Sequence, residues 1–162
     1  MSVLIVLANE YDTTAQQVNI KNAIAYVAKF GRTRTRIDWF LSGATRSESS
    51  ISEAQRMSEE ISMVSDSCIL VNKHNWHYIH DNKSINIHNN FARLKEWLEF
   101  NQSYKEIQVV TSNNLASHIA EIVIPGNNFQ FIYPESIDLR LDNFEDCMKA
   151  VDEKIQRIAS MV

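Results

Sequence analysis

Short, mainly apolar runs alternate along this chain with longer segments in which apolar residues recur every three or four positions. The apolar runs predict five strands, at residues 3–8, 37–41, 68–71, 107–110 and 129–133. The periodic segments predict five helices, at residues 13–30, 51–64, 86–100, 114–123 and 142–162. Such alternation is typical of a mainly parallel sheet covered by helices on both faces. The sequence therefore predicts a Rossmann-like three-layer αβα domain of the α/β class, and residues 1–162 fit one such domain.

The simplest strand order for this fold is 3-2-1-4-5, with right-handed crossovers. That order places a switch point between the first and the fourth strand. In open α/β sheets the ligand crevice lies at the carboxyl ends of the strands, close to such a point. We therefore expect the loops that follow the strands to carry the site.

The loops after the first four predicted strands are polar, and their side chains can cap helices or contact sugar and phosphate oxygens. Glycine in the second of these loops allows a sharp turn or a close approach to a ligand. The loops contribute as ligand-binding candidates Asn9, Ser42, Gly43, Ser84, Asn86, Thr111, Ser112 and Asn113. The acids that could serve in catalysis are Glu10, Glu53 and Asp81.

A purely local interpretation competes for some of these residues. Ser50 and Glu53 have the spacing of a capping box, in which the carboxylate would satisfy backbone N–H groups at a helix start. Ser84 or Asn86 could similarly act only as the N-cap of the third helix. A capping role and a role in the crevice are compatible for Glu53, because one carboxylate offers about four acceptor sites.

The segment 72–83, between the third predicted strand and the third helix, is rich in aromatic and polar residues. Its histidines are spaced three apart, which suits neither one face of a strand nor the usual pair of ligands on a helix, so we predict no metal site. We expect a lid over the crevice, with Trp76 and Tyr78 stacking on a base. The alternative is that these two rings pack on the edge of the domain.

Several short motifs occur in an order that resembles the SanA/YdcF/ElyC-like family of bacterial α/β proteins. Ser-Gly-Ala at 42–44 stands where that family has Ser-Gly-Gly, and Ser-Glu-Ala-Gln-Arg-Met at 52–57 matches its next helix start. Asp81 and the segment 84–90 resemble its acidic residue and its second helix start, and Val-Thr-Ser at 110–112 follows. The resemblance covers roughly residues 3–124 and adds Ala44 and Asn90 to the ligand-binding candidates.

The resemblance implies a Rossmann-like fold, and it implies S-adenosylmethionine as a ligand, because one branch of the family is associated with it. The Thr and Glu of the family's second helix start are Ile87 and Asn89 here. The aromatic–His pair that commonly follows Val-Thr-Ser is replaced by Asn114 and Leu115. Since the residues that could perform chemistry have changed, the sequence favours binding over catalysis.

Composition and charge exclude several classes of protein. The formal net charge of −4 argues against a general nucleic-acid binder. Two cysteines make no disulfide scaffold and fit a reducing compartment. The apolar run near the N-terminus is too short for a membrane span, so we expect a cytoplasmic protein that does not bind membranes. No Walker loop, dinucleotide fingerprint or nucleophile elbow is present in the sequence.

The sequence thus predicts a protein that binds a nucleotide-like small molecule, with S-adenosylmethionine as one candidate and no cofactor required. The first alternative is a hydrolase or transferase that acts on a phosphorylated or nucleotide-derived substrate. The second is a degenerate scaffold that binds a protein partner, encoded by a phage or mobile element, since the abundance of Asn, Ile and Lys suggests an AT-rich genome. Homo-oligomerisation is left open.

Overall fold

The structure of the chain is a computed structural model, which describes residues 2–8, 13–28, 30, 35–45, 50–66, 73–101, 103–111, 114–124 and 129–132. Two predicted elements, the strand at 68–71 and the helix at 142–162, lie outside these ranges. Four candidate site residues also lie outside them: Asn9, Glu10, Ser112 and Asn113.

The described strands form one parallel sheet. They are β1 (Ser2–Ala8), β2 (Arg36–Ser42), β3 (Trp76–Asp81), β4 (Glu106–Val110) and β5 (Phe129–Ile132). Their order across the sheet is β3-β2-β1-β4-β5, and all four neighbouring pairs are parallel. The α/β class expected from the sequence is thereby confirmed. The order 3-2-1-4-5 is also found, but its third place is held by residues 76–81, whereas the strand predicted at 68–71 lies outside the described residues.

Helices cover both faces of this sheet. They are α1 (Thr13–Ala28), α2 (Glu53–Asp66), α3 (Ile87–Phe100) and α4 (Asn114–Val123), with a short 3-10 turn at Lys73–Asn75. Side chains of α1 and α2 pack in one apolar cluster against the sheet, and side chains of α3 and α4 pack in another. Right-handed crossovers explain this three-layer arrangement. The chain moves outward from β1 to β2 and β3, which puts α1 and α2 on one face, and then returns past β1 to β4 and β5, which puts α3 and α4 on the other.

The central strand β1 is a continuous apolar run because it is buried on both faces of the sheet. Ile5 and Leu7 belong to the cluster with α1 and α2, whereas Leu4 and Val6 belong to the cluster with α3 and α4. Successive side chains of a strand point to opposite faces, so a strand covered on both faces needs apolar residues at every position.

The third described strand corrects the sequence analysis. The segment 72–83, which we expected to be a lid, contains β3, which pairs with β2 from Ile37 opposite Trp76 to Ser42 opposite Asp81. β3 is the outermost described strand on its side of the sheet, so it lacks the unbroken apolar run that identifies a central strand. That is why its alternating aromatic and polar residues did not predict a strand.

Aromatic packing holds β3 against the sheet. The ring centroids of Trp39 on β2 and Trp76 lie 5.0 Å apart, and those of Trp39 and Tyr78 lie 6.5 Å apart. Trp76 is buried and belongs to the apolar cluster on this face, with Tyr78 packed against it. The prediction that Trp76 and Tyr78 form a lid is therefore wrong, and the alternative of packing at the domain edge is confirmed.

The register of the parallel strands brings their carboxyl ends to one edge of the sheet. Ala8 of β1 is opposite Ser42 of β2, and Ser42 is opposite Asp81 of β3. On the other side, Leu7 is opposite Val110, so Thr111 follows at the same edge. We call this the carboxyl edge, and the candidates Ser42, Asp81 and Thr111 lie at it.

A test of the core compares two isoleucines. Ile5 is fully buried in β1, whereas Ile122 on α4 is 79% exposed. We expect Ile5→Ala to lower the free energy of unfolding by about 2–5 kcal/mol, because it opens a cavity between packed layers. The matched Ile122→Ala should change it by less than about 0.5 kcal/mol. Urea unfolding followed by circular dichroism measures both, and equal costs would contradict this layer assignment.

Candidate functional site

Asp81, the last residue of β3, is the centre of a hydrogen-bond network at the carboxyl edge. Its Oδ2 accepts from the hydroxyl of Ser42 at 2.5 Å and from the hydroxyl of Ser84. Its Oδ1 accepts from the backbone N–H of Lys83 at 3.1 Å. Asp81, Ser42 and Ser84 are all buried, so these bonds satisfy polar groups that have left water. The network fixes the turn between β3 and α3.

Asn90 on α3 extends this network. Its side-chain amide lies 2.8 Å from the Ser42 Oγ, and the residue is buried. A serine hydroxyl carries one proton, and the Asp81 carboxylate requires it. The Ser42–Asn90 contact is therefore best satisfied when the amide NH₂ faces the hydroxyl, an orientation that is assigned from the bonding pattern. Asn90 thus connects α3 to the ends of β2 and β3.

The backbone at Gly43 and Ala44 joins the end of β3 to the start of α2. The N–H of Gly43 donates to the carbonyl of Asp81, and the N–H of Ala44 donates to the carbonyl of Ser84, both at 2.9 Å. Their own carbonyls accept the N–H groups of Ala54 and Glu53, both at 3.1 Å. Gly43 is buried between these partners, so its lack of a side chain permits the close approach of two elements.

The start of α2 differs from the sequence prediction. The helix begins at Glu53, and Ser52 is its N-cap, because the Ser52 Oγ accepts from the backbone N–H of Gln55 at 3.0 Å. The predicted capping box of Ser50 and Glu53 is therefore wrong. Ser52 and Gln55 have the serine-to-glutamine spacing of such a box, a signal in the sequence that could have identified the cap. Glu53 occupies the first helical position, where it is not needed as a cap.

Glu53 is a buried carboxylate, with 5% of the residue exposed. Its Oε1 lies 4.0 Å from the Nε of Arg56, whose side chain is 49% exposed. Glu53 also affects Glu60, whose pKa is raised mainly by burial. The negative charge of Glu53 raises that pKa further, whereas a hydrogen bond from Gln17 lowers it. Glu53 and Glu60 are seven positions apart, which places them on the same side of α2.

The other predicted site residues have structural partners. Asn86 is the N-cap of α3, and its side chain accepts from the N–H of Asn89 at 2.9 Å. Thr111 is buried just after β4, and its N–H donates to the carbonyl of Ile132 at 3.2 Å. The local alternative for Asn86 is confirmed. Asn82 was not predicted, yet its Oδ1 accepts from the hydroxyl of Ser52 at 2.6 Å and helps to hold α2 against the loop after β3.

A second buried carboxylate, Asp38 of β2, is at the opposite edge of the sheet. It accepts from the Nε of Arg36 at 2.8 Å and from the hydroxyl of Tyr104. Burial, together with this bond to Asp38, raises the pKa of Tyr104 above its usual range. Asp38 lies near the amino end of β2, away from the carboxyl edge, and its partners Arg36 and Tyr104 give it a structural role. We therefore do not include it in the site.

Among the described residues, no three His, Cys, Asp or Glu residues lie together in a way that could hold a metal ion. Within the same ranges, no helix has both the length and the apolar character to cross a membrane.

The Asp81 network predicts a measurable coupling. We expect Asp81→Ala to lower the free energy of unfolding by about 2–4 kcal/mol, because the buried hydroxyls of Ser42 and Ser84 lose their acceptor. Asp66→Ala is the control, because that carboxylate is 67% exposed and its pair with Lys73 should contribute less than about 1 kcal/mol.

The double variant isolates the hydrogen bond itself. Ser84→Ala should lower the free energy of unfolding by at least about 0.5 kcal/mol less in the Asp81→Ala background than in the parent, because the Asp81 carboxylate that accepts from Ser84 is already absent. Chemical denaturation of the four proteins gives this difference. Strict additivity would show that Asp81 does not organise the loop.

The raised pKa of Glu60 predicts a pH effect. The native state then binds its proton more tightly than the unfolded state, so this carboxylate lowers stability once the pH exceeds its ordinary value of 4.5. Relative to the parent, Glu60→Gln should gain stability as the pH rises from about 4 to about 7. Glu59→Gln, at an exposed position of the same helix, should show no such gain. Melting temperatures across this range test the prediction, and parallel curves for Glu60→Gln and the parent would contradict it.

Comparisons with known proteins returned no relative. No family model matches the chain, and no curated protein and no solved structure matches it either. The fold therefore rests on the structure alone, and the resemblance to the SanA/YdcF/ElyC-like family stays a prediction from short motifs. Any statement about function has to be built from the residues at the carboxyl edge.

Proposed function

We propose that this chain binds a nucleotide-like small molecule, with S-adenosylmethionine as one candidate, in a crevice at the carboxyl edge. The observation that supports this most is the buried carboxylate of Glu53 at the first position of α2. Ser52 already caps that helix, so the sequence has no need of an acid at Glu53 to complete the helix start. Burying a charge is costly, and proteins accept that cost most often where the charge has a function.

The position of Glu53 agrees with the general rule for this fold. Ligands of open α/β sheets bind outside the carboxyl ends of the strands, near the point where the strand order reverses. Here that point lies between β1 and β4, and α2 begins at the same edge, after the neighbouring strand β2. An acid at this edge is suited to accept hydrogen bonds from sugar hydroxyls or from an amine.

The described residues favour binding over hydrolysis or group transfer. Ser42, a hydroxyl beside a carboxylate at this edge, is buried and already bonded to Asp81. Asp81 accepts from two hydroxyls and one backbone N–H, so its oxygens are occupied in holding the loop. A nucleophile or base needs its reacting atom available to the substrate, and the hydrogen bonds of Ser42 and Asp81 within the loop make these two residues poor candidates for that role.

A ligand screen with a charge-neutral variant tests the proposal. S-adenosylmethionine, S-adenosylhomocysteine, the four ribonucleosides and their phosphates are added to the full chain, and the melting temperature is followed. At least one should raise it, because a ligand at ~100 times its dissociation constant contributes about 2.7 kcal/mol.

The variant Glu53→Gln should keep its unliganded melting temperature close to that of the parent, because Ser52 still caps α2. It should bind the stabilising ligand at least about tenfold more weakly, since a hydrogen bond to a charged group contributes about 1.5–3 kcal/mol. Glu59→Gln, on an exposed face of the same helix, should bind as the parent does. The absence of any shift at millimolar ligand would instead favour a scaffold that binds a protein.

A further inference from the structure

The helix α1 is buried on the side that faces away from the sheet. The residues of α1 that belong to the apolar cluster on the sheet are Ile20, Ala23, Ile24 and Val27. Val18, Asn22 and Ala25 each stand two positions from one of these, which places them about 160° round the helix. We call these three residues the outer face of α1. Their exposed fractions are 0%, 2% and 1%, whereas the outward side of a helix in a three-layer domain is normally exposed.

The described helices lie beside α1 or beyond the sheet. α2 is the lateral neighbour, because Gln17 of α1 bonds to Glu60 of α2. α3 and α4 pack on the opposite face of the sheet. As formed by the described residues, neither apolar cluster contains Val18 or Ala25. Since the single chain buries these side chains by itself, their cover is best supplied by residues of the same chain outside the described ranges.

The outer face suits an apolar element that approaches closely. Val18 and Ala25 have small apolar side chains, and Ala15, one turn before Val18, is buried as well. The side-chain amide of Asn22 donates to the carbonyl of Val18 at 2.9 Å, so this donor is satisfied within α1. Small side chains on one element leave room for large ones on its neighbour. From Ala15 to Ala25 the helix rises about 15 Å, so the cover has to be of comparable length.

Length and sequence pattern point to one segment. Between β1 and β5 the ranges outside the described residues hold at most six residues, as at 67–72, and each joins described residues at both ends. The range 133–162, after β5, is long enough for the helix that the sequence predicts at 142–162. Its large apolar residues recur every three or four positions, and they are Phe144, Met148, Val151, Ile155 and Ile158. Such spacing puts them on one side of a helix, as a cover for small residues requires.

We propose that the apolar side of the segment 142–162 packs on the outer face of α1 within the same chain. The opposite side of the segment, which then faces water, carries Asp146, Lys149, Glu153 and Arg157. α1 follows β1, the strand beside the switch point, so the segment holds in place the helix that starts there. This contact does not depend on any ligand and is independent of the proposed function.

Cysteine cross-linking in the full chain tests the contact. Cys68→Ser leaves Cys147, within the segment, as the single thiol. One further thiol at a time is then added to α1, by Ala15→Cys, Val18→Cys, Asn22→Cys or Ala25→Cys. A disulfide needs Cα atoms about 4.4–6.8 Å apart, so at least one of these variants should link to Cys147 under mild oxidation. Mass spectrometry of the digested monomer identifies the linked peptides.

A second series and a control make the result specific. Cys147→Ser with Val151→Cys repeats the scan from the centre of the apolar side of the segment. Ile122→Cys is the control, because Ile122 is 79% exposed on α4, beyond the sheet. It should link at least about tenfold more slowly than the best α1 variant, since the sheet separates it from the segment. The linked α1 variant should melt no lower than its reduced form, because a disulfide of ordinary geometry restricts the unfolded chain.

Each contrary result would overturn the proposal. If no α1 variant links to either thiol, or if Ile122→Cys links as readily, the segment does not pack on the outer face of α1. Disulfides found only between two chains would show that a second copy supplies the cover. A linked form that melts clearly below its reduced form would show a contact forced by oxidation.

Discussion

The backbone of Gly43 and Ala44 is the constraint on which the carboxyl edge depends. Two residues connect three elements, because their N–H groups bond to the loop after β3 and their carbonyls bond to the first turn of α2. A helix normally begins with unsatisfied N–H groups that need a cap, water or a ligand. Here Ala44 and Gly43, just after the preceding strand, accept the first two of them, and Ser52 accepts the next. As a result α2 starts in a fixed position, and the carboxylate of Glu53 is held where it is.

Much of the fold could be predicted because burial leaves a strong pattern in a sequence. β1 and β4 are covered on both faces. β1 is therefore an apolar run, and β4 is apolar from Ile107 to Val110 apart from Gln108. The helices α1, α3 and α4 begin within one residue of the positions expected from periodicity. β3 could not be recognised in the same way, because an outer strand is covered less completely. Its register is instead secured by the packing of Trp76 and Tyr78 on Trp39, which depends on contacts between distant residues.

The candidate site was predictable by position more than by role. Ser42, Asp81, Ser84 and Asn90 were all expected at this edge, and the structure brings them into one network. Their expected contact with a ligand was inferred from polarity, whereas the geometry shows that they bond mainly to one another. Sequence pattern cannot distinguish a hydroxyl that faces a pocket from one that satisfies a buried carboxylate, because both require the same residue type at the same strand end.

The Ser42–Asn90 contact, the longest in sequence within the Asp81 network, joins residues 48 positions apart. The central pairing of β1 with β4 instead joins Val3 to Glu106, a loop roughly twice as long, whose closure costs about 0.6 kcal/mol more in chain entropy. The two parts of the carboxyl edge therefore differ in the sequence separation of the contacts that form them. The part around Asp81 depends on the more local contacts, whereas the switch point between β1 and β4 exists only once the most distant of the paired strands have met.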